Sequence, residues 1–440
     1  MRRMVSLVVM LAILALNAMA GGILTNQNQS AGYIRLLARN ASLDADAVYF
    51  NPAGLVKLAD GWHLALHNQV ISQDKTIVNS FPLLRDPNYP GEVRVPIFPD
   101  FYAVYKKNKL AVSFGFGPNA GGGSAEFVRG LPSFEIPFST LPVLLTGMGV
   151  PTTSYTIDIA FKGKSVFLGY QLNFSYALSE AVALGVGARM IQATNTYQGH
   201  IKDVRINPGG NWVSAYTFFM SIGQPGYAAM VADKEVDAKQ TGSGFTPILS
   251  LSLTPTEALV FTLKYEFNTK LELTNKTTVD DVGMFPDGYK FRNDLPAILS
   301  AGLRYAIIPK LRAHASYNYY FDKKANWEGA EQLVEKNTYE LAFGLEYDLN
   351  QRMTVSAGYL RTQFGLSPQY QDDINHELTA DSVGGGFKIN LNEKLSLDVG
   401  TLYVFYKNYQ KTETYGSFPP YNVTYKRKTL DFAVGLNYRF

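Results

Sequence analysis

Of the five histidines, His63 and His67 are the pair whose spacing could hold a metal ion between them. On a strand, residues four apart share a face but lie about 13 Å from one another, too far to bind one zinc. No Gly-x-Ser-x-Gly elbow for acyl transfer and no Gly-x-x-x-x-Gly-Lys-[Ser/Thr] loop for a nucleotide occurs, and there is no cysteine. No catalytic residue and no cofactor is expected, and the chemistry left is non-covalent. Two stretches are unusually apolar for connecting segments. One carries Phe134, Phe138, Leu141, Leu144, Leu145 and Met148, and the other Trp212, Tyr216, Phe218 and Phe219. Adjustable methionine beside aromatic rings suits flexible acyl chains or ring compounds. The same residues would equally serve as short helices capping a larger structure, and both roles hold if a shared groove takes ligand. A cation such as Arg189 or Arg304 could hold a carboxylate head group.

These residues must be carried by strands. Residues 164–176 alternate Val166, Leu168, Tyr170, Leu172, Phe174 and Tyr176 against Gly169, Gln171, Asn173 and Ser175, and the same period of two recurs at 109–117, 258–268 and 338–349. The connections alternate in length. Tight turns fall at Lys107-Asn108, Ser179-Glu180, Pro255-Thr256, Pro309-Lys310, Asn350-Gln351 and Asn392-Glu393, and longer segments near 73–97, 118–163, 204–243, 276–290, 325–335, 366–378 and 412–424. Six short and seven long connections join fourteen strands, as in an antiparallel outer-membrane barrel with turns at one rim and loops at the other. The polar faces collect Arg189, Lys264, Glu266, Arg304, Arg312, His314, Glu340, Glu346, Asp348, Arg352, Lys388, Asp398, Asp431 and Arg439. A charge facing lipid at mid-depth costs about 2–4 kcal/mol, so these residues belong in the lumen, either bracing the barrel or selecting what passes.

The chain has 440 residues, Lys+Arg 40 against Asp+Glu 37, and 18% charged residues with 28 Tyr and 27 Phe, which argues against a nucleic-acid partner and suits strands touching an apolar exterior. Arg2-Arg3, an apolar run from Val5 to Leu16 and Ala18-Met19-Ala20 form an export leader, so the domains are expected as 1–20 signal peptide, 21–60 plug and 61–440 barrel. Beyond it no apolar run reaches the roughly 18 residues of a helical span. The chain ends on an alternating strand, 430–440, closed by Phe440. Such an end resembles the signal by which the barrel-assembly machinery recognises its clients. The expected surroundings are outer-membrane lipid, and the expected state a monomer.

Residues 21–60 do not alternate. Ser30 can N-cap a short helix through Arg39, and Pro52 breaks the chain after Asn51. About forty residues are enough to fold back into the lumen. With Ala41, Ser42, Asp44, Asp46 and Ala47 ahead of Asn51-Pro52-Ala53, and fourteen strands after them, the sequence resembles the FadL/TodX family of outer-membrane long-chain fatty acid and hydrocarbon transporters. The resemblance implies a hatch that blocks the lumen, a kinked third strand that opens the wall, and ligand leaving sideways through the gap. Gly115, Gly117 and Pro118 stand in that strand, although alone they also fit an ordinary strand running into a Gly-rich loop. It further implies that Ile23 or Leu24 reaches an internal pocket, and that the apolar loops form a groove. The resulting expectation is an all-β, 14-stranded transmembrane barrel passing hydrophobic small molecules without enzymatic chemistry. The alternative is an aqueous porin.

Overall fold

The computed structural model describes residues 25–440, so the leader, Ile23 and Leu24 lie outside the described residues. The barrel strands among the described residues are β1 (Gly61–Asn79), β2 (Asn88–Lys107), β3 (Leu110–Phe127), β4 (Thr152–Ala177), β5 (Val182–Pro208), β6 (Lys234–Thr256), β7 (Leu259–Glu266 continued by Glu272–Asp280), β8 (Lys290–Arg292 continued by Ile298–Ile308), β9 (Leu311–Tyr320), β10 (Val334–Asp348), β11 (Met353–Leu366), β12 (Ala380–Asn390), β13 (Leu395–Tyr406 continued by Tyr409–Glu413) and β14 (Tyr421–Arg439). Each pairs antiparallel with the next. β14 returns to β1, from His63 opposite Arg439 to Asn79 opposite Val423, and closes a fourteen-stranded barrel. Phe440 finishes the seam: its N–H donates to Trp62 O at 3.0 Å, and its carbonyl accepts from Trp62 N at 2.9 Å. Leu172, Phe174, Phe343, Leu345, Leu430 and Phe432 face outward and are exposed, as a lipid-contacting wall requires.

The six tight turns fall at or within two residues of the expected places: Pro255-Thr256 still belongs to β6, and the chain turns at Glu257-Ala258. The long connections are shorter than expected because the strands carry on. Residues 73–79 and 88–97, read as loop, belong to β1 and β2, and β4 and β5 run to 26 and 27 residues. A bilayer needs only about 9–11. Above it both faces meet water, so the apolar alternation fades while the ladder continues. Ion pairs such as Lys162–Glu126 (3.3 Å) and Lys202–Glu235 (2.9 Å) take the place of lipid-facing side chains there.

Ser30 caps α1 (Ala31–Leu36), its Oγ accepting from Tyr33 N at 2.9 Å. After α2 (Ala47–Phe50), the Asn51 side-chain oxygen accepts from Gly54 N at 3.2 Å and starts the 3-10 turn Pro52–Lys57. From Ser30 to Val56 only Leu43 and Asp44 are not fully buried: the segment fills the lumen. Its main chain rests on inward glycines. A Cβ on Gly358 would stand 1.9 Å from Leu36 O, and one on Gly384 2.5 Å from Ile34 O. Any side chain at either position would lift the plug off the wall.

Candidate functional site

The hatch is tied to the barrel by buried charge. Arg35 donates to Asp398 at 2.7 Å, Glu346 at 2.8 Å and the Ser356 hydroxyl at 2.9 Å, reaching β13, β10 and β11 with one guanidinium. Arg39 holds Asp46 at 2.8 Å and Asp44 at 2.5 Å, and Lys388 reaches Asp44 at 3.1 Å. Asn51-Pro52-Ala53 sits against the opposite wall: Ser175 Oγ donates to Pro52 O at 2.7 Å, and Ala53 N donates to Ser250 Oγ at 3.1 Å. Arg189 belongs to the same interface. It donates to Glu266 at 2.6 Å and to Gln171, and lies 4.6 Å from the Tyr49 ring centroid. Arg304 lies among Glu346, Arg312 and Asp44. Neither lines either of the two large cavities described below, and the Arg189 guanidinium is taken up by Glu266 and Gln171 beside the hatch.

The wall itself is interrupted beside the hatch. β2 and β3 pair as far as Phe101 opposite Phe116 and again at Val93 opposite Ala125, with no pairs between. β3 stays on β4 through shifts at Pro118/Ala120 and Gly121/Gly123. Gly121 (φ +64°) and Gly122 (φ +123°) adopt the left-handed conformations that such bulges need. The carbonyls that β2 leaves unpaired are taken by the N-terminal arm. Asn26 N donates to Asn119 O at 3.0 Å, Asn26 Nδ2 to Gly121 O at 2.7 Å, and Gln29 Nε2 to Pro118 O at 2.6 Å. Gly115 and Gly117 give the N-terminal segment room: a Cβ at Gly115 would meet Val48 at 2.8 Å, and at Gly117 would meet the Gln29 side chain at 2.8 Å. From β2, Phe98 packs on Gly122 and is 1% exposed.

Above the hatch lies a chamber of about 490 Å³, bounded by the arm, by the interrupted wall at Val93, Val95, Phe98 and 121–123, and by the loop 370–378. Its lining is mixed. Lys75, Lys164 and Arg427 contribute basic side chains. Arg427 is engaged by Glu377 at 3.1 Å and by His376 O at 2.7 Å, whereas Lys75 makes no hydrogen bond or ion pair among the described residues. Lys75 was missed because it lies in the stretch read as loop.

A second, apolar cavity of about 750 Å³ lies between the outer loops. α3 (Pro132–Ser139), α4 (Leu141–Gly147) and α6 (Pro225–Val231) line it, while α5 (Ala215–Ser221) packs against α6 from outside. Phe134, Phe138, Leu141 and Leu144 line it as the sequence suggests. Leu145 and Phe219 are instead wholly buried in the core that supports these helices, and Phe218 packs on that core. Met148, Trp212 and Tyr216 are exposed and do not line it. Lining residues absent from the sequence reading include Tyr227 and Met230, on the short helix α6, and Met284, Phe285 and Phe418, which stand singly or as a pair within polar loops. Glu135, fully buried on α3, anchors this cap by accepting from Tyr155 OH at 2.7 Å, Tyr89 OH at 2.8 Å and Arg85 at 3.1 Å.

The chain is similar in fold to a Pseudomonas aeruginosa FadL homologue (13% identity, TM-score 0.63, covering 96% of this chain and 99% of that one) and to the P. putida toluene transporter TodX (14%, 0.58, 90% and 94%). It is also similar to the Ralstonia pickettii toluene transporter TbuX (14%, 0.57, 90% and 94%). No curated protein sequence matches it. Residues 149–440 match the family model described as outer membrane protein transport protein (OMPP1/FadL/TodX). That match spans more than half of the chain, and with the closed, plugged barrel it shows that the protein is an outer-membrane barrel belonging to the OMPP1/FadL/TodX family.

Proposed function

We propose that the barrel is a passive channel for hydrophobic molecules carrying one anionic group, long-chain fatty acids above all. The observation that carries this reading is Lys75, a side-chain amine without a hydrogen-bonding partner among the described residues, on the wall of a chamber whose other surfaces include Val93, Val95, Phe98 and Phe127. Burial, and after it the neighbouring Arg427, push the free Lys75 amine down to about 7; a bound carboxylate would restore its proton and complete it with a charge-assisted hydrogen bond. Ligand adsorbs in the apolar cavity between the loops, where burial contributes about 25 cal/mol per Å². It moves down into the chamber and leaves sideways where β2 and β3 part company, once the arm at Asn26 and Gln29 gives way. Neutral aromatic hydrocarbons, the cargo named for TodX and TbuX, would use the same route without needing Lys75.

The test is uptake of a labelled long-chain fatty acid, toluene and a small sugar by cells in which this protein is the sole outer-membrane route. Fatty acid and toluene enter and sugar does not. Lys75→Met lowers fatty acid affinity about tenfold, the order of a lost charged hydrogen bond, and leaves toluene unchanged. Sugar uptake would mean an aqueous pore, and equal fatty acid affinity in the variant would leave a hydrocarbon channel.

A further inference from the structure

The groove and the chamber are separate spaces that meet at one side chain. Phe161 of β4 lines both. On the groove side Phe134 stands edge-on to it, ring centroids 5.8 Å apart at 80°. One hydrogen bond crosses the same partition: Ser133 N, at the start of α3 and lining the groove, donates to Asp373 Oδ2 of the chamber's roof at 2.8 Å. Asp373 is steadied from β14 by the Tyr425 hydroxyl at 3.3 Å. On its β3 side Phe161 faces Phe127 and packs against that residue's cluster, whereas toward β5 the wall is bare. Gly163 and Gly199 flank the ring, and a Cβ on either would come within 3.5–3.6 Å of it. On that side no side chain blocks the ring from turning.

We propose that Phe161 is the door between groove and chamber, and that Asp373 latches it by holding the start of α3, and with it Phe134, against the ring. The inference rests on the transport reading and adds to it a specificity-determining residue. An apolar chain sliding down from Phe134 replaces the aromatic contact it breaks, so the ring turns at little net cost. A hydrated solute offers no such replacement and meets a closed partition. The door therefore selects against water-soluble molecules before they reach the hatch.

The experiment is stopped-flow binding of a fluorescent fatty acid, anthroyloxy-stearate, to the purified full-length barrel in detergent. Wild type gives two phases, adsorption in the groove and then slower loading of the chamber. Phe161→Ala speeds the slow phase about two- to tenfold, the worth of one edge-on aromatic pair, and leaves the fast phase unchanged. Asp373→Ala speeds it in the same sense, and Phe161→Trp slows it. Phe161→Leu serves if the alanine variant loses its heat-modifiable gel mobility, the mark of an assembled barrel. A wild-type trace with a single phase overturns the door, as does a slow phase unaltered in assembled Phe161 and Asp373 variants. Failure of wild type to bind the probe at all removes the fatty acid reading and the door with it, whereas binding with unaltered phases removes the door alone.

Discussion

The hatch interface and the outer cap are both layers of helix packed on the same barrel, and they are built from opposite chemistry. Around the hatch, buried charges pair off: Arg35 of the plug with Glu346 and Asp398 of the wall, Arg39 with Asp46 inside the plug, and Glu266 with Arg189 and Lys264 on the wall. In the cap, the packing of α3 to α6 is aliphatic and aromatic, with Glu135 as its principal ionic post. Desolvating so many charges yields little net stability, but each pair works in one geometry only, and breaking one strands a buried ion. Apolar packing tolerates sliding and repacking. A plug that must seat in one position uses the first kind of contact, and a cap that must admit varied greasy molecules uses the second.

That contrast can be broken at either end. Arg35→Ala strands Asp398 and Glu346 and is expected to destabilise the seated hatch by about 3–5 kcal/mol. Single-channel recordings in planar bilayers should then show stepwise ion conductance where wild type is silent, and silence in the variant would mean that the hatch does not depend on its ionic ties. Deleting residues 134–148 acts on the other layer. It should lower hydrophobe uptake by an amount corresponding to about 1.5–3 kcal/mol for each groove side chain lost, with bilayer recordings still silent. Conductance after that deletion would show the two layers to be one mechanical unit. The smallest effect concerns the chamber's roof. Burial pushes the Asp372 carboxyl up to about 7, with Asp373 adding to it and the Asn375 and Ile374 N–H donors opposing. The closed roof therefore keeps a proton that the opened segment releases above about pH 4, so closure weakens as pH rises from 4 to 7. Amide exchange at 371–378, corrected for intrinsic rates, should show protection falling across that interval, and flat protection would remove the effect.

How far the sequence could be read follows from the range of each interaction. Alternation at 164–176 and the turn at Lys107-Asn108 are local, and the strands lie where those signals put them. Ser30 and Pro52 punctuate the plug for the same reason. The partners of the charges are not local. Arg35 meets Asp398 across 363 residues and Arg189 meets Glu266 across 77, matches fixed only once register and closure are settled. Arg189 thus looked free on its own strand and is fully engaged in the barrel. Lys75 suffered the reverse error: polar neighbours hid the outer end of β1, and with it the amine that faces the chamber.

The position of the plug relative to the seam bears on how the protein is made. The hatch leads directly into β1, its Arg35 is bonded to β10, β11 and β13, and Ala53 is bonded to β6, yet β1 is joined to the rest of the sheet's far edge only by β14. A finished cylinder would have to be threaded by a segment that is already its wall's own leading end, so the sheet wraps around the plug and zips afterwards. The N-terminal segment is thus sealed in place by the C-terminal strand, and the bonds of Arg35 to β10, β11 and β13 can form only once those late strands stand around it.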